Sequence, residues 1–380
     1  MPDAYEVFDS KDHLAWKERF RKFSKPFREA INREPGMAWL DPKYWTLHAI
    51  GSGTYSATDY YDKKNTHFVL LIEGDVDPVW IDATMIADID VDLAKRNCRL
   101  TIVTTGVPLD TRTLITRLAD TIQIITVKEL HGIYNPDWEL KYPPKEMKLY
   151  SCLMQRLTPD RMLAAVELHN QKMLDKGIVS FISNFRPTAY FDEFKREGAS
   201  NADVLREMQS WHPRVTFHYE TRDEDIEKII SMVPYRSFEE PGPDGYLADV
   251  ERHAQFSIVY ETYNTDAYPS SKWYCLTEKS TRSLTLPTIS LFCMPRFSLF
   301  WYKELGFKFH PINESLNRVS GFDSQINFII GMLKHGNIRF DPDLEYSIAQ
   351  HNRNVLQSME DRLYEDNFIP NLIRTINEFR

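Results

Sequence analysis

Short runs of apolar, β-branched residues, set apart by stretches long enough for a helix, constrain this chain more than any other feature. THFVLLI at 66–72, RLTIVTT at 99–105 and IQIITV at 122–127 are nearly continuous in apolar residues, so each is predicted to be a buried strand. Residues 82–97 and 110–119 lie beside them with helical patterning. Strands alternating with helices of this length predict a parallel sheet covered on its faces. The rhythm resumes downstream with strands predicted at 178–183 (IVSFIS), 214–220 (RVTFHYE), 256–260 (FSIVY) and 288–293 (TISLFC). Helices are predicted from Thr158, as N-cap before Pro159, to about Lys176, and over 188–197, 201–210, 223–231, 296–304 and 322–334. Residues 234–250, rich in Pro and Gly, predict a loop.

A further helix is expected around 11–32, and a last helical stretch covers 343–380. KYPPKEMK at 141–148 reads as a linker. The expected class is therefore α/β, with two Rossmann-like domains and a C-terminal helical segment. At 380 residues the chain is long enough for two domains with separate cores. Hydrophobic residues at 42% and charged residues at 27% match a globular protein in water.

The net charge of −9 argues against a protein that holds long duplex nucleic acid mainly by phosphate contacts, unless its positive charge is segregated. Residues 11–28, KDHLAWKERFRKFSKPFR, are the exception, locally basic with interleaved aromatics on an amphipathic helix. Cys98, Cys152, Cys275 and Cys293 are too far apart for a CxxC site. Cys98, Cys152 and Cys293 lie in or beside apolar runs and are expected as buried thiols, which suits a reducing compartment. The polar N-terminus does not read as a signal peptide, and no run approaches about 18 apolar residues, so a cytoplasmic protein without a membrane span is expected.

No GxxxxGK[ST] loop, GxGxxG fingerprint or HExxH pair is present. The chemistry concentrates after the FSIVY strand. Glu261 stands at its C-terminal end, where open α/β sheets place ligand-binding groups. Tyr263 and Tyr274 follow in a loop, either to stack on a nucleobase or to pack the loop. Thr277 then opens a helix as N-cap, with Glu278, Lys279 and Arg282 in its first turns. Helix-start amides with a lysine and an arginine suit a pyrophosphate, and Glu278 suits a ribose diol. Asn184 and Arg186 follow the 178–183 strand, and Arg186 supplies a second cation there.

Glu73, Asp75 and Asp77 cluster after the first buried strand, beside Gly74. Neighbouring carboxylates raise one another's pKa, as a general base requires, and Asp75 is the first candidate with Glu73 second. A polar turn is the plainer alternative.

The segment from FSIVYET to CLTEKSTRSL resembles the donor-binding motif of α1,3-fucosyltransferases, in which a strand ends in Glu, a Tyr-bearing loop follows and Thr-Glu-Lys opens a helix. WYKELGFKFH at 301–310 is similar to a continuation in virus-encoded, phage-type glycosyltransferases, and GIVSFISNF at 177–185 to the start of the same donor domain. The chain departs from the pattern at Glu261-Thr262, where the family has Glu-Asn, and at Ser283–Pro287.

The resemblance, over roughly 146–335, implies a GT-B arrangement of two Rossmann-like domains facing a cleft. Residues 1–145 would take the acceptor and 146–342 the nucleotide-diphosphate sugar, with 343–380 packing back on the N-terminal domain. It implies an inverting glycosyl transfer to an acceptor hydroxyl, on a hydroxymethylated base in phage DNA or else on a glycan. Cations then stabilise the leaving diphosphate and no metal cofactor is required. Asp75-x-Asp77 also resembles the metal motif of other glycosyltransferases, with oxygen ligands suited to Mg²⁺ or Mn²⁺. Because Asp-x-Asp recurs at 88–90, 90–92 and 341–343, the metal-independent reading is preferred. Two other classes stay open, a metal-dependent DNA-processing enzyme built on Glu73, Asp75 and Asp77, and a non-catalytic nucleotide- or carbohydrate-binding protein.

Overall fold

The computed structural model describes residues 11–40, 66–72, 83–105, 107–108, 115–154, 164, 167–181, 246–260, 273–274, 277–294, 298–319, 321–336 and 338–379. They fall into two compact units. The first draws on 15–135, 268–277 and 354–380, and the second on 11–14, 136–267 and 278–353.

In the first unit, helix α1 (Lys11–Arg33) precedes strands β1 (Met37–Leu40) and β2 (His67–Ile72), helix α2 (Ala83–Lys95) and strand β3 (Arg99–Thr104). Short strands β4 (Val107–Pro108) and β5 (Ile115–Arg117) then lead to β6 (Ile122–Thr126) and a 3₁₀ helix over Lys128–Tyr134. The sheet runs β1-β2-β3-β6-β5, parallel except for β5. Residues 110–119 were expected as a helix, yet 115–117 form an antiparallel strand. Ile115 and Thr116 are β-branched, and the turn at Ala119–Thr121 folds them back onto β6.

The continuous apolar runs are explained by burial on both faces. Phe68 and Leu70 pack with Ile102, Ile124 and the α2 residues Ile89 and Leu93. Val69 and Leu71, one step out of phase, pack with Val103, Ile125 and the α1 residues Trp16, Phe23, Phe27 and Ile31.

The second unit begins with β7 (Lys148–Met154), β8 (Gly177–Phe181), helix α3 (Ala248–Glu251) and β9 (Ala254–Tyr260). Trp273–Tyr274 (β10) belongs to the first unit and pairs antiparallel with β4. Helix α4 (Glu278–Leu284), strand β11 (Ile289–Cys293) and helices α5 (Ser298–Glu304), α6 (Ile312–Leu316), α7 (Phe322–His335) and α8 (Pro342–Leu363) follow. The sheet is wholly parallel in the order β11-β9-β7-β8. Its core gathers Tyr150, Val179, Phe256, Ile258, Ile289 and Leu291 against Ile326, Ile329 and Ile330 of α7.

Four expectations need correction here. The helix from Thr158 does not reach Lys176: helical residues end at Asn170, and Lys172 takes a positive φ of 55° before a 3₁₀ turn over Leu174–Lys176. The loop over 234–250 gives way to α3 at Ala248. The stretch 343–380 is two helices, α8 and α9 (Phe368–Asn377), split where Tyr364–Asn367 turns. Tyr274, placed in a loop, lies in a strand. The strand at 214–220 and the helices at 188–197, 201–210 and 223–231 lie outside the described residues.

The α/β class with two separate parallel-type sheets is as expected. Cys98, Cys152 and Cys293 are buried free thiols. Among the described residues no helix is long and apolar enough to cross a membrane.

Candidate functional site

Strand order in the second unit reverses between β7 and β9. From β7 the chain moves outward to β8, then returns to β7's other side for β9 and moves outward again to β11. In open α/β sheets the crevice at the carboxyl ends of the two strands flanking such a reversal binds the ligand. Strand β9 ends there at Tyr260, the residue before Glu261, and α4 returns beside β9 and β11.

The residues of α4 are mostly interior. Thr277, Ser280, Thr281 and Ser283 are buried, and a hydroxyl pair 2.7 Å apart joins Ser283 to Ser290 of β11. The Thr285 hydroxyl donates to the carbonyls of Thr281 and Arg282, each at 2.9 Å. So polar a helix can lie inside because its hydroxyls return to backbone carbonyls.

Two cation–carboxylate pairs mark the segment. Lys279 Nζ donates to Glu278 Oε1 at 2.6 Å, with both side chains largely buried. Arg282 Nε donates to Glu251 Oε2 at 2.7 Å, with side-chain exposures of 10% and 3%. The second carboxylate oxygen of Glu251 accepts from the Ser257 hydroxyl on β9. Arg282 is thus oriented from inside the fold, one edge of its guanidinium committed to Glu251. Neither Glu251 nor Ser257 stood out in the sequence. Their only signal is an acidic residue just before a strand, which has no meaning until Arg282 folds against it 31 positions later.

Glu278, Lys279 and Arg282 thus share α4, which Thr277 precedes, and the two cations pair with different carboxylates. Tyr274 contributes backbone to β10. Glu73, Asp75, Asn184, Arg186, Glu261 and Tyr263 lie outside the described residues. Among the described residues no group of three or more His, Cys, Asp or Glu is placed to hold a metal ion.

His131 of the first unit and Glu345 of the second are further buried ionisable groups. His131 is fully buried with both ring nitrogens unpartnered, and burial holds its pKa down at about 4. Glu345 on α8 is raised to about 8, mainly by burial and then by Asp341.

No protein-family model matches the chain, and no curated protein matches it in sequence. The fucosyltransferase resemblance thus rests on the motif alone. Among solved structures, the chain is similar to T4 phage BGT in complex with UDP and Mn²⁺, at 11% identity over 90% of this chain and 82% of that one, with a TM-score of 0.36. It is also similar to an α,α-trehalose-phosphate synthase (UDP-forming) from Burkholderia vietnamiensis, at 10% identity over 97% and 85%, with a TM-score of 0.39.

Proposed function

We propose that this chain is a GT-B-type glycosyltransferase that takes its sugar from a nucleotide diphosphate. The observation that carries the reading is the strand-order reversal at β7/β9, with the Thr277–Arg282 segment following the β9 edge of that crevice. Lys279 and Arg282 hold the diphosphate and offset the charge that builds on it as the sugar–phosphate bond breaks. Glu278 takes the ribose diol, and Glu251 fixes the guanidinium that Arg282 presents. Arg186, Asn184, Glu261, Tyr263 and Tyr274 complete the donor side of the proposal. Asp75, with Glu73 as second candidate, removes the acceptor proton. No metal is assigned a role. The inverting course implied by the resemblance belongs to the proposal, and a retained anomeric configuration in the product would remove it.

A thermal-shift screen against UDP, GDP, ADP, CMP and dTDP sugars tests the donor site. One of these is expected to stabilise the protein, and Lys279→Ala to weaken that nucleotide about tenfold to a hundredfold, the scale of a lost charge-assisted hydrogen bond. Unchanged affinity in the variant would remove Lys279 from the site. No stabilisation by any of the five would count against a nucleotide-sugar enzyme altogether.

For the acceptor, one surface favours a modified nucleobase over a glycan. Arg21, Lys25 and Arg28 lie along the exposed side of α1, and none of them has a carboxylate partner among the described residues. The opposite side of α1 is committed to the core through Phe23, Phe27 and Ile31. On a chain of net charge −9 this is a segregated cationic row suited to a phosphate backbone. Binding to a labelled DNA duplex is expected to weaken with salt. The triple change Arg21→Gln, Lys25→Gln, Arg28→Gln should flatten the log–log salt slope by about 2.7, at about 0.9 per lost phosphate contact. A slope that stays the same would return the acceptor to the glycan class.

A further inference from the structure

Three consecutive residues of α8 close on the C-terminal end of α4 and on the Leu305–Phe309 stretch of the WYKELGFKFH motif. Asn352 is fully buried. Its amide nitrogen donates to the carbonyls of Leu284 and Lys308, both at 2.9 Å, and its oxygen accepts from the Lys308 N–H at 2.8 Å. Arg353 Nε donates to the Thr285 carbonyl at 3.2 Å, and its Nη1 to the Trp138 carbonyl at 2.7 Å. The guanidinium also lies 5.5 Å from the centre of the Trp138 ring. On the outer side, the His351 ring lies 2.9 Å from the carbonyl of Gly306, which holds a φ of 98°.

The physical consequence follows from what a helix end lacks. The last carbonyls of a helix have no partner within it and carry the negative end of its dipole. At α4 that end is met by a neutral amide on Leu284 and by a full cation on Thr285. These contacts are to backbone, so they grip α4 whatever side chains it carries. Asn352 moreover ties the same end to Lys308 through both its amide and its carbonyl, so α4 and the Gly306–Lys308 segment are held as one piece. The Leu-Gly-Phe motif acquires a role in this arrangement, as the seat on which α8 meets α4.

We infer that Asn352 and Arg353 are positioning residues for the donor site: they set α4, and hence Lys279 and Arg282, from the helix end opposite the ligand. The inference rests on the reading of α4 as the diphosphate-binding segment. At seven residues α4 is too short to hold helical form unaided, so loosening its C-terminal anchor loosens the two turns that carry Lys279 and Arg282.

The test uses the full chain with Arg353→Met, which keeps the stem against Trp138 and removes the guanidinium, and Arg353→Lys, which keeps a cation near the carbonyls. Tyr150→Phe, in the same unit, leaves the Met173 carbonyl without its hydroxyl donor and serves as a destabilised comparison. Each protein is titrated with UDP, GDP, ADP, CMP and dTDP, and amide exchange is followed over residues 278–285. Arg353→Met is expected to speed exchange across α4 and to weaken the bound nucleotide about tenfold, as small misplacements of binding groups do. Arg353→Lys should recover part of both, and Tyr150→Phe should lower the melting temperature without weakening the nucleotide. Unchanged nucleotide affinity in Arg353→Met, or an equal loss in Tyr150→Phe, would overturn the inference while leaving the donor site in place. A wild-type protein that binds none of the five nucleotides would overturn the donor reading first, and this inference with it.

Discussion

Gly132→Ala is expected to destabilise the protein by about 3 kcal/mol or more, the upper range for overpacking a rigid site. A methyl group at this position would lie 2.3 Å from the backbone nitrogen of Glu360, 2.6 Å from its Cα and 2.8 Å from the carbonyl carbon of Met359. All three atoms are backbone of α8, so no side-chain rotation relieves the clash. The helix itself has to move away from the 3₁₀ turn. That movement would break a knot of polar contacts beside it. Arg19 Nε pairs with Glu360 Oε1 at 2.9 Å, and Asn135 Nδ2 donates to Glu360 Oε2 at 2.7 Å and to Gln357 Oε1 at 2.8 Å. Urea denaturation of the variant measures the loss. A midpoint equal to wild type would mean that α8 is free to shift there, contrary to its packing.

Glu251→Ala carries the second large effect, expected at about 3–5 kcal/mol because it takes the Glu251 carboxylate away from the buried Arg282 guanidinium. The loss includes the Ser257 hydroxyl bond to the same carboxylate. Glu251→Ala combined with Arg282→Met should be distinctly less destabilised than the two single changes added together. Removing a whole buried pair costs far less than breaking it. A double-mutant cycle by chemical denaturation decides the point, and strict additivity would show that the two groups are not energetically coupled. Nucleotide binding provides a second reading of the same variants. Arg282→Met should lose affinity even where stability is restored, since the site then lacks one of its cations.

The first unit's strands were legible because parallel strands covered on both faces have no polar side to write into the sequence. His67–Ile72, Arg99–Thr104 and Ile122–Thr126 all come from unbroken apolar runs. The same logic found β9 and β11. It passed over β7, the strand against which β8 and β9 both pair, because Lys148 and Ser151 interrupt its pattern. Ser151 is buried all the same, and Tyr150 lies wholly inside, its hydroxyl donating to the Met173 carbonyl at 3.0 Å. Strand β1 is only four residues long, too short for any periodicity to register.

At the candidate site the Thr277–Arg282 segment was readable, since a cap, an acid and two cations are local features. The partners that give it its geometry were not. Glu251 reaches Arg282 across 31 positions and Asn352 reaches Leu284 across 68. Pairings of that span are decided by the fold, and nothing in the neighbouring residues announces them.

The apolar cluster that seals one face of the first sheet combines Trp16, Phe23 and Phe27 with Leu372, Ile373 and Ile376. During synthesis the early residues leave the ribosome long before their partners exist. The sheet strands between them would therefore emerge with that face covered only by α1, and part of it stays open until Leu372–Ile376 have been made. The first unit should accordingly mature only after α9 is made, depend on chaperones while nascent, and tolerate loss of α1 or α9 poorly.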